Sequence, residues 1–104
     1  MIRKRRSPQP GKVIITFEIP ASIWAERINL VGEFNDWDTE SLPFQQNREG
    51  HWLVELELEA GREYRFRYLL DGEQWRDDWH ADSFVANPFG GYDSVVVAEV
   101  PPES

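Results

Sequence analysis

The strongest constraint on the fold is an alternation of period two that runs through most of the chain. In Trp52-Leu53-Val54-Glu55-Leu56-Glu57-Leu58-Glu59, residues Trp52, Val54, Leu56 and Leu58 fall on one side and Glu55, Glu57 and Glu59 on the other. Successive side chains of a strand point to opposite faces, so this pattern makes a half-buried strand and excludes an amphipathic helix. Val13 to Ile19 repeats it, with Val13, Ile15, Phe17 and Ile19 opposed to Ile14, Thr16 and Glu18. Ile28, Leu30, Gly32 and Phe34 share a face in the next run. Tyr64, Phe66 and Tyr68 then oppose Arg65, Arg67 and Leu69. A last strand is predicted through Ser94 to Val100.

Turn signals separate these runs: Asn35-Asp36, Glu49-Gly50, Ala60-Gly61, Asp71-Gly72 and Gly90-Gly91. Asp71-Gly72, between an apolar run and Trp75, predicts a hairpin. Residues 21–27 read as a short helical turn and residues 76–89 as a long loop packed on the sheets. Short strands with polar outer faces at this spacing predict an all-β fold, an antiparallel β-sandwich. The 104 residues fit one domain able to bury a core without staples. The predicted division is a flexible basic tail over 1–11, a sandwich over 12–100 and a second tail over 101–104.

Charge and composition narrow the function. With 19 acidic against 11 basic side chains the net charge is -8, which repels phosphate backbones, so nucleic acid is not the expected partner. The one basic cluster, Arg3-Lys4-Arg5-Arg6, reads as a solvated tail. It is followed by Ser7-Pro8-Gln9-Pro10-Gly11 rather than an apolar run, so no signal peptide is recognised and no segment predicts a membrane span. Without cysteine, disulfides and thiolate metal sites are excluded. The expectation is a soluble, cytoplasmic chain.

Catalytic constellations are thin. His51 and His80 are the two histidines, and no serine stands in a G-x-S-x-G elbow. Glu55, Glu57 and Glu59 lie on one exposed strand face, with no cleft to raise a carboxyl pKa for glycoside hydrolysis. Asp77, Asp78, His80 and Asp82 form a local cluster, but without EF-hand spacing it reads as a polar loop. No catalytic residue, metal or cofactor is expected.

Five tryptophans in so short a chain ask for placement. In Leu30-Val31-Gly32-Glu33-Phe34-Asn35-Asp36-Trp37-Asp38 a hydrophobic strand enters a polar turn that leaves Trp37 among turn formers. Such a ring is either a lid on a small core or a surface displayed to a ligand. Sugars offer apolar C–H faces rimmed by hydroxyls, so their sites need exposed flat rings with a few fixed donors and acceptors. Trp37 and Trp75 are the best-placed rings, and Arg67 lies opposite the Tyr64–Phe66–Tyr68 face, free to supply donors.

LVGEFNDWD, the Gly50-x-Trp52 strand opening, Gly61 followed by YRFRYLLDGEQW, and NPFGGYDSVVV together resemble carbohydrate-binding module family 48 over roughly residues 12–98. This is the early-set, immunoglobulin-like domain of isoamylases and branching enzymes, and the glycogen-binding domain of the AMP-activated protein kinase beta subunit. The resemblance implies a non-catalytic module for α-1,4-linked glucan (glycogen, starch or maltooligosaccharide), with a glycogen-metabolising enzyme as partner. It implies a site of Trp37, which ends the F-N-x-W motif, and Trp75, which follows the D-G turn. It adds Arg67 where the family has a lysine and Asp93 where it has an asparagine. Arg67 keeps charge but changes geometry, Asp93 keeps an acceptor and loses amide donors, and Trp79 replaces a common proline. Alternative expectations are a protein-interaction sandwich and an accessory subunit of a starch-active hydrolase or branching enzyme.

Overall fold

The computed structural model describes residues 2–78 and 81–99; Met1, Trp79, His80 and residues 100–104 lie outside them. Two antiparallel sheets pack face to face. The first has the order β1-β2-β5-β4, from Ile2–Arg6, Lys12–Ile19, Trp52–Glu59 and Gln45–Gln46. The second has the order β3-β6-β9-β8, from Ile28–Gly32, Glu63–Leu70, Tyr92–Val97 and Ser83–Ala86. β7, Gln74–Arg76, pairs with the end of β6. The fold is therefore the all-β antiparallel sandwich that the alternation predicts, in the immunoglobulin-like form that the family resemblance implies. Among the described residues no helix is long and apolar enough to cross a membrane.

The core follows the period-two pattern. Val13, Ile15 and Phe17 of β2 are fully buried against Leu30, Phe66 and Val96 of the second sheet. Phe17 meets Phe66 edge-on with centroids 5.1 Å apart, and Tyr68 meets Phe44 the same way at 5.5 Å. Edge-to-face pairs of this kind add about 0.5–1.5 kcal/mol beyond the area they bury.

Four expectations are corrected. Residues 2–6, read as part of a flexible tail, form β1, paired along its length with β2 from Ile2↔Phe17 to Arg6↔Val13. The basic run is ordered because its charges meet acids: Arg3 on Glu18 at 3.4 Å, Arg5 on Glu55 at 3.0 Å and Lys4 on Asp82 at 2.6 Å. Lys4 reaches from the first sheet to the segment entering β8, whose Asp82 also accepts the Val97 N–H at 2.7 Å. Within the long loop expected over 76–89, Ser83–Ala86 forms β8, an edge strand paired with β9 through the turn closed by Asn87 and Gly91. Residues 21–27 form irregular turns rather than a helical one, since the segment must run from β2 to β3 between the sheets' ends. The last strand also begins earlier and ends sooner than expected, spanning Tyr92–Val97.

Candidate functional site

The outer faces of the two sheets differ, and the second carries the candidate residues. Cross-strand partners share a face, so Val31 opposite Arg67, Leu69 opposite Trp75 and Val95 opposite Arg65 all point away from the interior. These three apolar residues are nonetheless buried and stand apart from the main core cluster. They form an apolar floor on the outside of the sandwich, and rings and arginine stems share that side with them.

Trp37 reaches this face through a tight turn. Gly32 ends β3 where an added Cβ would lie 2.5 Å from the Arg65 carbonyl oxygen, so the chain can pass β6 only as glycine. A 3-10 turn, Glu33–Asn35, follows, and then Asp36 and Trp37 adopt left-handed backbone with φ of 55° and 59°. Such backbone is uncommon for a bulky side chain and persists only where surrounding contacts hold it. Asn35 supplies them. Its Oδ1 accepts the Gly32 N–H at 3.0 Å, and its amide nitrogen lies within 3.2 Å of Leu30 O, Asp38 O and Ser41 Oγ. The Trp37 N–H closes the turn on Gly32 O at 2.8 Å.

Trp75 stands on β7, beyond the predicted hairpin. Asp71 and Gly72 both have positive φ (54° and 71°), the requirement of a type I′ turn, and Glu73 N–H bonds Leu70 O at 3.0 Å. The Asp71 carboxylate accepts the N–H groups of Glu26 and Arg27 at 2.7 and 3.0 Å, tying the hairpin to the segment before β3. Past β7 the chain is anchored in both directions. Asp77 turns outward and accepts Arg67 Nε at 3.2 Å, while Asp78 turns inward and accepts the Tyr68 hydroxyl at 2.5 Å. The Asp78 N–H donates to Ser94 Oγ at 3.0 Å. Burial first, and then the Asp78 carboxylate, push the Tyr68 phenol well above its usual range.

Arg67 is held in place by Asp77 and lies with its guanidinium carbon 5.7 Å from the Trp75 ring centroid, a cation–π contact. Asp93, on β9, is buried and accepts the Asn87 side-chain amide at 3.2 Å. Asn87 is itself fixed, because its oxygen accepts the N–H groups of Phe89 and Gly91.

All four residues singled out from the sequence, Trp37, Arg67, Trp75 and Asp93, line one open cavity of about 650 Å³. Trp37 and Trp75 are 40% and 43% exposed, so each ring is anchored on one side and open to solvent on the other. Neither ring belongs to the main core cluster or to the partly buried hydrophobics packed against it. Arg65, Asn87, Pro88 and Phe89 complete the wall, and sequence reasoning passed over them. Phe89 had a readable signal: a large ring in an N-P-F-G-G turn has no strand face to join, and it is 94% exposed. Asn87 had none, because its role depends on a partner across the turn.

The acidic cluster of the 77–82 segment is taken apart by the fold. Asp77 serves Arg67, Asp78 serves Tyr68 and Asp82 serves Lys4. His80 lies outside the described residues, and among those described no group of three or more His, Cys, Asp or Glu could hold a metal. A second cavity of about 320 Å³ is lined by Ile19, Ile23 and Leu70; among the described residues that line it, none is a half-exposed aromatic ring.

The sequence model of carbohydrate-binding module 48, the isoamylase N-terminal domain, matches residues 14–90, well over half of the chain. That span contains Trp37, Arg67 and Trp75. Among curated proteins none matches the chain.

Proposed function

Since the chain belongs to carbohydrate-binding module family 48, a family of binding rather than catalytic modules, we propose that its cavity binds α-1,4-linked glucan such as glycogen, starch or maltooligosaccharide. Trp37 and Trp75 stack on the apolar faces of glucose units, and Arg67 and the Asp93–Asn87 couple bond their hydroxyls. The observation that carries the reading is the meeting of two half-exposed indole rings with a tethered guanidinium and a capped carboxylate in one cavity.

The chemistry supports it further. Neutral hydroxyls are donors and acceptors at once, so they suit a site with both kinds of partner. Where the family has an asparagine, Asp93 offers acceptors alone, and Asn87 brings an amide to the same place. The replacement of lysine by Arg67 substitutes a planar fork for a point charge, and Asp77 fixes its orientation.

A ring covering about 50–80 Å² of sugar face contributes on the order of 1–2 kcal/mol. Two such rings and a few hydrogen bonds, less the cost of ordering a flexible chain, give an affinity between about millimolar and micromolar. Affinity of that order suits a cytoplasmic module that holds a glycogen- or starch-active partner on a polymer with many repeated sites.

Affinity electrophoresis through glycogen tests the reading. The wild-type chain is retarded, and Trp37→Ala or Trp75→Ala abolishes the retardation while the far-ultraviolet spectrum stays that of the folded sandwich. Equal retardation of both variants and wild type would overturn it.

A further inference from the structure

The cavity holds one more cation than the recognition of hydroxyls uses. Arg65 and Arg67 leave the same face of β6 two residues apart, and both line the cavity. Arg67 is committed to Asp77 and the Trp75 ring. Arg65 is committed only through its backbone, whose N–H donates to Glu33 Oε1 at 2.6 Å. Among the described residues its guanidinium meets no carboxylate within ion-pair distance. The Glu33 contact ties β6 at this residue to the turn that carries Trp37, so the guanidinium and that ring are delivered from one rigid unit.

A solvated arginine on an open surface is ordinary. Its position here is less so, because the chain as a whole has a net charge of -8 and the acid lining the same cavity, Asp93, bonds the Asn87 amide and forms no ion pair with Arg65. A positive group in a concave site of an acidic protein concentrates field where the rest of the surface repels anions. The planar donor fork of arginine matches the oxygens of a phosphate, and a neutral glucose unit has no charge to answer it.

We propose that the glucan taken by this cavity bears phosphate monoesters, with glucose faces on Trp37 and Trp75 and an esterified phosphate on Arg65. The inference rests on the α-glucan reading of the same cavity. Phosphate charge at neutral pH, about -1.5 to -2 for a monoester, provides the differential attraction.

The test titrates the full chain at low salt with maltoheptaose and with maltoheptaose carrying one glucosyl 6-phosphate, in wild type and in Arg65→Gln. The phosphorylated sugar is expected to bind about tenfold tighter to wild type, an advantage that shrinks as salt is raised. In Arg65→Gln the ratio of the two affinities falls close to one. Equal affinity of wild type for both sugars would overturn the inference and leave the α-glucan reading standing, whereas failure of both sugars to bind would overturn both. Persistence of the full ratio in Arg65→Gln would also overturn it. So would displacement of the phosphorylated sugar by an equal concentration of inorganic phosphate, which would mark a bare anion site.

Discussion

The outer faces of the two sheets obey the same alternation and end in opposite states. On the first sheet, Arg3, Arg5, Thr16, Glu18, Glu55 and Glu57 lie side by side, and their polar groups answer one another: Arg5 on Glu55, Arg3 on Glu18 and Ser7 on Glu57. On the second sheet the outward positions Val31, Leu69 and Val95 are buried, and the rings near them stay half open. One face has satisfied its polar groups with its own residues. The other leaves two indole rings and the tethered Arg67 partly uncovered. Sequence polarity alone does not separate the two, because arginines mark both.

The largest break in this contrast comes from Asn35→Ala. The side chain bonds the Gly32 N–H and shares its amide among Leu30 O, Asp38 O and Ser41 Oγ, so its loss is expected to lower stability by on the order of 3 kcal/mol. Urea denaturation measures that, and glycogen retardation should fall with it because the left-handed turn under Trp37 relaxes. Undiminished stability would mean that the turn holds itself.

Next comes Tyr68→Phe, which removes the hydrogen bond under the β7 exit and is expected to cost about 1.5–3 kcal/mol, since the acceptor is a carboxylate. The same residue sets a pH dependence. The folded phenol titrates above its unfolded value, so its contribution is complete below about pH 10, the unfolded phenol range, and is lost as pH rises through the folded pKa. Wild type should therefore lose stability in alkali more steeply than Tyr68→Phe; parallel alkaline denaturation curves would contradict this.

The smallest effect belongs to the charged face. Glu55→Gln weakens an exposed pair with Arg5 and should change stability by about 0.2–1 kcal/mol, with glucan affinity unaltered. A change in glucan affinity would mean that the two faces do not act independently.

What could be read in advance depended on whether the partner was near in sequence. The strand cores at Val13–Ile19 and Trp52–Glu59 and the Asp71-Gly72 turn were legible because period and turn chemistry are local. β1 was not, since Lys4 meets Asp82 across 78 residues and Arg5 meets Glu55 across 50; alone, a run of basic residues reads as solvated. β8 was hidden for a similar reason, being four mostly exposed edge residues stabilised by β9. Of the cavity wall, Trp37 and Trp75 announced themselves as rings beside turns, and the resemblance to the family marked Arg67 and Asp93. The supports beneath them, Asn87 under Asp93, Asp77 under Arg67 and Asp78 under Tyr68, exist only once the chain has folded.

We propose that the second sheet's outer face is an α-glucan platform built on Trp37 and Trp75. A chemical-shift titration with maltoheptaose, with a β-linked glucan of similar length as control, tests it most directly. Saturable shifts of the Trp37 and Trp75 indole N–H signals are expected with maltoheptaose and none with the β-glucan, while the indole of Trp24, an exposed residue outside the cavity, stays unmoved by either. Unmoved Trp37 and Trp75 signals, or equal shifts with both sugars, would contradict it.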